Sequence, residues 1–209
     1  SPVAYGGHSA ETINYVSCHD DLSLVDKLRA SAPEGMTEEE LVRFDKLAQT
    51  VVLTAQGIPS LFAGEEMLRT KGGVSNSHDS PDRVNRIDWS FKADHKDVFD
   101  YYRGLIALRR THSAFRLATA AEIERHLRFL DTGDTHVVAY RLVDHAGGDP
   151  WREILVVYNG ARAEKRVRIP PGDWHAVCLD GRIASEALAV FSGDSVPVPA
   201  SSALIAYLP

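Results

Sequence analysis

Cysteine is scarce in this chain: Cys18 and Cys178 are the only two in 209 residues. A disulfide framework needs more cysteines in less chain, so none is expected. Both thiols are expected to be buried, because free cysteine is among the most buried residue types. No run of about 20 apolar residues occurs, so no segment reads as a membrane-spanning helix. Positive charge is not in excess either: 23 Lys and Arg stand against 29 Asp and Glu, a formal net charge of -6. The nearest basic cluster, Arg162 to Arg168, is interrupted by Ala163, Glu164 and Val167. A general nucleic-acid binder needs a basic face, so no nucleic-acid partner is expected. Internal repeats and low-complexity tracts are absent. The first residues, Ser1-Pro-Val-Ala-Tyr5, lack both an initiator Met and a charged-then-apolar leader. The start therefore reads as cut or engineered, and localisation is not legible.

What is present is a balanced composition, 44% hydrophobic and 25% charged, typical of a folded chain. The first half alternates strand-like and helix-like patterns. Thr12 to Cys18 alternates and is rich in β-formers, which predicts a strand. Thr37-Glu-Glu-Glu40 is a capping box. Behind it Leu41, Phe44, Leu47, Ala48, Val51, Val52 and Ala55 recur at three- and four-residue spacing, predicting a helix. Gly57 fits the left-handed position after that helix, and Pro59 stops its continuation. The apolar run Ile58 to Ala63 then reads as a strand buried on both faces, completing a βαβ unit with parallel strands. A polar, turn-rich loop occupies 64–89; a loop this long is usually functional or disordered. A second helix is predicted from Asp97 to His112, with Arg109, Arg110 and His112 placed at its negative end.

After about residue 118 the pattern changes to short strands. They are expected at 126–131, 137–143, 154–159, 165–169, 174–179 and 203–208, with Pro170-Pro171-Gly172-Asp173 among the turns between them. Such spacing suggests an antiparallel sandwich. The boundary near 118 divides an α/β piece, 1–118, from an all-β module, 119–209. Trp151 and Trp174 sit at strand positions, where core packing outweighs sugar stacking.

The sharpest chemical signal is His19-Asp20-Asp21 at the end of the first strand. In α/β barrels the chemistry sits where strands end. A His beside a carboxylate there can hold sugar hydroxyls and stabilise positive charge; a polar loop with an Asp helix cap fits the local pattern too. Glu65-Glu66 imitates a catalytic pair, but adjacent side chains on an extended chain face opposite ways. His78, Asp79, His95 and Asp20 match no standard metal-ligand spacing.

Tyr15-Val-Ser-Cys-His-Asp-Asp21 resembles the last sugar-binding motif of the α-amylase superfamily. Leu24 to Leu28, Gly57 to Glu66, Leu68-Arg-Thr-Lys71, Asn76-Ser77, Ser80-Pro-Asp82 and Asn85-Arg-Ile-Asp-Trp89 extend the resemblance to type I pullulanases, which debranch α-1,6 links. The likeness is specific over about 12–112 and general beyond. It departs at Asp21, where Asn is commoner, and at Gly73-Val74, where a more polar pair is usual. It implies the last two βα units of a (β/α)8 TIM barrel followed by an antiparallel β-sandwich.

It also implies a retaining glycoside hydrolase acting on pullulan or branched α-glucans. Asp20 matches the carboxylate that stabilises the transition state, and His19 the hydroxyl-binding His. Asn76, Asp79 and Asp82 become candidate glucose contacts. The nucleophile Asp and acid/base Glu of the family precede residue 1, so the chain alone is expected to be inactive. No organic cofactor is implied; calcium occurs in related enzymes, without identifiable ligands here. The expected partners are an α-glucan and the N-terminal remainder of the same enzyme, because two barrel strands alone leave open edges; self-association is the other way to cover them. A non-catalytic carbohydrate-binding module, or a related α-1,4-acting or glycogen-debranching enzyme, are the competing readings.

Overall fold

The computed structural model describes residues 7–209; the reading of Ser1 to Tyr5 as a cut start lies outside them. Strand β1 (Ile13–Asn14) pairs in parallel with β2 (Ile58–Pro59), Ile13 opposite Ile58. Helices α1 (Leu24–Ser31) and α2 (Glu38–Thr54) form the crossover. Both strands are shorter than the apolar runs predict. Each has only one neighbour in a two-stranded sheet, and Pro59 has no N–H to give. Two strands do not by themselves make a barrel. The Thr37 box closes in both directions: the Glu40 N–H donates to Thr37 Oγ1 at 3.2 Å, and the Thr37 N–H to Glu40 at 3.0 Å. Gly57 has φ +107°, and a Cβ there would lie 2.4 Å from Thr12 Oγ1. Only glycine lets the chain leave α2 this close to β1.

After β2 a short 3-10 turn (Glu65–Met67), helix α3 (Asp82–Asn85) and helix α4 (Phe91–Asp94) lead into α5 (Lys96–Thr111). Arg109 does not serve its own helix end, as its position suggests. It is buried, and its guanidinium donates to the carbonyls of Leu53, Ala55 and Gly57. It thereby caps α2 from outside, meeting carbonyls that have no intrahelical partner.

The second half is a seven-stranded antiparallel sheet. Helix α6 (Ala120–His126) opens it on a second capping box, Thr119 with Glu122. Then come β3 (Leu127–Leu130), β4 (Val137–Leu142), β5 (Glu153–Asn159), β6 (Lys165–Leu179), β7 (Arg182–Ile183), β8 (Ala189–Val198) and β9 (Ser202–Leu208). The path runs β3-β4-β5-β9-β6-β7, with β8 on β6. The predicted turn at Pro170-Pro171 is a correction: 165–179 is one bent strand, and its register against β8 shifts between Arg168 and Gly172. The prolines cannot donate to a ladder, so the chain bulges past them rather than reversing. Strand β8 and helices α1 and α6 were not among the predicted elements.

Alternation along β5 and β9 explains their unbroken apolar sequences. Ile154, Val156 and Ile205 face a core shared with Tyr102, Leu105 and Phe115 of the α5 region. Leu155, Val157, Leu204, Ala206 and Leu208 face a second core with Trp174, Val196 and Val198 from the folded-over β6 and β8. Both faces of the central strands are therefore dry. His112, ending α5, stacks on Trp151 at 3.5 Å and meets Asp149 at 3.0 Å, tying the halves together. Burial would raise the Asp149 carboxyl; hydrogen bonds from His112, Trp151 N–H and Ala114 N–H outweigh it and hold the group low. Trp174 is fully buried and Trp151 packs between His112 and Tyr207, as core packing predicts. Cys178 is buried, its thiol pushed up to about 12 by burial. Cys18 is only half-buried, correcting the expectation for that thiol, because it stands on the loop leading out of β1. None of the described helices is long and apolar enough to cross a membrane.

Candidate functional site

The chain leaves β1 at its C-terminal end and runs through Ser17 to Asp21 before α1. His19 and Asp20 project outward: their side chains are 83% and 81% exposed, with His19 Nδ1 3.2 Å from Asp20 Oδ1. Asp21 is left-handed, φ +61°. Asn and Asp tolerate that conformation better than other side chains, so an acid here keeps the same loop. This exposed pair rests on a buried frame. The carbonyl of Val16 accepts from Lys27 Nζ at 3.1 Å, and that of His19 from Lys71 Nζ at 3.2 Å. The Ser17 hydroxyl donates to Glu65, which also accepts from Gln49 Nε2 at 2.8 Å.

The loop after β2 lies beside it. Arg69 donates to the carbonyls of Ala63 and Asn85, which folds this loop back on itself. Asp26 of α1 accepts from Thr70 Oγ1, from the Lys71 N–H at 2.7 Å and from Ser23 Oγ at 2.8 Å. Burial would raise the Asp26 carboxyl, yet these donors together hold it below its ordinary value. Lys71 Nζ also donates to Ser77 Oγ at 3.2 Å. Asn76, Asp79 and Asp82 are all exposed. Asn76 Oδ1 meets His78 Nδ1 at 2.9 Å, and Asp82 sits in the first turn of α3. The structure thus joins the Asn76 loop to the His19 loop through Lys71. Among the described residues, the Asp79 and Asp82 side chains bond to neither loop. A cleft of about 380 Å³ opens farther along, lined by Arg69, Arg83, Arg86 and Phe91 among others; none of the five candidate side chains lines it. Among the described residues no three His, Cys, Asp or Glu side chains cluster as a metal site.

Glu65 and Glu66 lie in a 3-10 turn rather than on the extended chain first expected, and they part ways. Glu65 is buried; Glu66 bonds the Gly64 N–H at 2.9 Å. Burial pushes Glu65 up to about 7, against the hydrogen bonds from Ser17, Phe62 N–H and Gln49. Asp45 beneath it is pushed up to about 8 by burial, despite the Tyr102 hydroxyl donating at 2.7 Å. Both carboxyls hold protons in the fold that the unfolded chain has released above about pH 4. Folded stability therefore falls as pH rises from about 4 through 7 and 8. The thermal midpoint of the chain is expected to be higher at pH 5.5 than at pH 8.5 by roughly 5 °C or more, and Asp45→Asn is expected to flatten most of that slope. Circular-dichroism melts at the two pH values check it; an unchanged slope in the variant would refute the assignment.

The comparisons with known proteins return chiefly pullulanases. The model for "Pullulanase, all-beta domain" matches residues 123–182, which span α6 to β7. The pullulanase of Bacillus subtilis (strain 168) is 39% identical over 161 residues, 77% of this chain and 22% of that protein. The pullulanase structure from Bacillus acidopullulyticus superposes with a TM-score of 0.92 at 45% identity, covering 96% of this chain and 24% of that one. The chain belongs to the pullulanase family. A pullulanase from Paenibacillus barengoltzii, solved in complex with maltohexaose and alpha-cyclodextrin, matches with a TM-score of 0.87 and 42% identity, over 98% of this chain and 31% of that one. The chain thus spans between 22% and 31% of the length of these pullulanases. The match across 96% or more of the chain includes the β1–α2–β2 unit as well as the sheet.

Proposed function

We propose that this chain is the C-terminal portion of a retaining glycoside hydrolase that cleaves α-1,6 links in pullulan or branched α-glucans. In this reading, residues 1–118 are the last two βα units of a (β/α)8 barrel and 119–209 the β-sandwich behind it. The nucleophile Asp and acid/base Glu lie on upstream polypeptide. The observation that carries the reading is the outward-facing His19-Asp20 pair at the C-terminal end of a parallel strand, where barrel enzymes place their chemistry. Exposed apolar side chains around β1 and β2 support it. Ile13 is 63% exposed, and Tyr15, Ile58 and Leu61 are also open, as expected of a surface that further barrel strands cover.

The chemistry follows from charge. A retaining glycosidase sets two carboxyls about 5–5.5 Å apart, and its transition state resembles an oxocarbenium ion. Asp20 supplies a third, spectator carboxylate that stabilises that cation, while His19 donates to a sugar hydroxyl. Asn76, Asp79 and Asp82 contact neighbouring glucose units. Asp20 as it stands faces water, where a charge pair at 4 Å is worth only about 1 kcal/mol; at an effective dielectric of about 20 it reaches about 4 kcal/mol. The carboxylate becomes effective only when upstream chain and substrate enclose it. The test is proton NMR of pullulan digested by the complete polypeptide that carries this chain. New reducing ends should appear from α-1,6 links in the α configuration. Cleavage of α-1,4 links alone, or an inverted product, would overturn the reading. Pullulan binding without hydrolysis, surviving Asp20→Ala and His19→Ala, would also overturn it and favour a binding module.

A further inference from the structure

We propose that Lys71 is a positioning residue for the His19-Asp20 pair, a role that rests on the site reading above. Its side chain is buried, residue exposure 2%, and its ammonium points to the two loops rather than into open solvent. Yet no carboxylate pairs with its ammonium among the described residues. It donates instead to two neutral oxygens, the His19 carbonyl and the Ser77 hydroxyl, each at 3.2 Å. Burying an ammonium on such weak acceptors is costly, and a Met of similar length would pack there without that cost. What the charge gains is geometric. One acceptor is the backbone of His19, one residue before Asp20; the other adjoins Asn76. A single cation thus sets the separation of the loops that follow β1 and β2.

The cation is itself held from behind. Its own N–H is fixed by Asp26, which also anchors Thr70 and α1, so Lys71 does not swing freely. Without the ammonium the His19 carbonyl loses its donor, and the attachments that remain, Lys27 to the Val16 carbonyl and Ser17 to Glu65, both lie upstream of His19. Asp20 then drifts relative to the sugar. A misplacement of about 1 Å at a reacting centre costs on the order of 100-fold.

The test measures pullulan kinetics of the complete polypeptide with Lys71→Met, Asp20→Asn and both together. Lys71→Met is expected to lower kcat about 30- to 100-fold while KM changes less than threefold. In the Asp20→Asn background the same change should cost less than threefold more, because Lys71 acts through that loop. A full multiplication of the two losses, or a wild-type kcat in Lys71→Met, would overturn the proposal. Should Lys71→Met not fold, Ser77→Ala removes one of the two acceptors while keeping the cation. It should lower kcat three- to tenfold in the wild-type background and not in the Asp20→Asn background; a wild-type kcat in Ser77→Ala alone would overturn the proposal. If Asp20→Asn alone keeps wild-type kcat, the site reading fails, whatever Lys71 does.

Discussion

Asp20→Asn in the complete polypeptide is expected to lower kcat on pullulan by about 100- to 1000-fold, the loss typical of removing one preorganised electrostatic group. The substitution is nearly isosteric, and among the described residues the polar side-chain partner of Asp20 is His19 at 3.2 Å, on a surface four-fifths exposed. Folding should therefore change by no more than about 0.5 kcal/mol. The asymmetry separates this account from a structural one: an exposed loop carboxylate with no role in chemistry would leave both quantities alone. Substrate affinity should fall less than kcat, because the negative charge matters most when the sugar ring becomes cationic. Equal changes in kcat and stability, or none in kcat, would refute the role.

Trp174→Ala carries the largest expected effect on stability, about 3–5 kcal/mol. The indole is fully buried in the core between the two layers of the folded-over sheet, and its Nε1–H donates to the Pro170 carbonyl at 2.9 Å. That bond secures the bulge by which β6 passes its two prolines. Truncation leaves a cavity against Leu208 and Val198 and an unpaired carbonyl at once. For a chain of this size the midpoint should drop by roughly 10 °C, measured by calorimetry or circular dichroism. Trp174→Phe keeps most of the volume and should lose less than half as much. A sugar-stacking tryptophan would behave oppositely, losing ligand affinity with little change in stability.

Much of the architecture was legible because local and long-range signals coincide. The Thr37 box, the apolar stripe behind it and Gly57 agree on one helix and its exit. The exposed polar end of β1 at His19-Asp20 was legible because its residues are consecutive. Other elements were hidden for physical reasons. Helix α6 has a capping box of the same form, but Ile123 is its lone apolar residue of size, so no stripe announces it. Strand β8 carries Gly193, Asp194 and Pro197, poor strand formers that a strand paired only to β6 tolerates. The prolines at 170–171 read as a turn because their lack of an N–H is local, whereas the bulge they occupy depends on β8 across the sheet. Lys71 and Glu65 show the same limit at the site. A lysine in a polar loop and a glutamate in an acidic pair carry no local mark of burial; it arises only when α1, α2 and both loops converge.

The proposed function divides the labour: Asp20 of this chain would steady the sugar cation, and the bond-breaking carboxyls would lie upstream. The most direct measurement is reducing-end release from pullulan by purified residues 1–209, beside the complete polypeptide at equal concentration. The account predicts turnover by the complete polypeptide and none by the chain alone; robust hydrolysis by residues 1–209 without another polypeptide would contradict it.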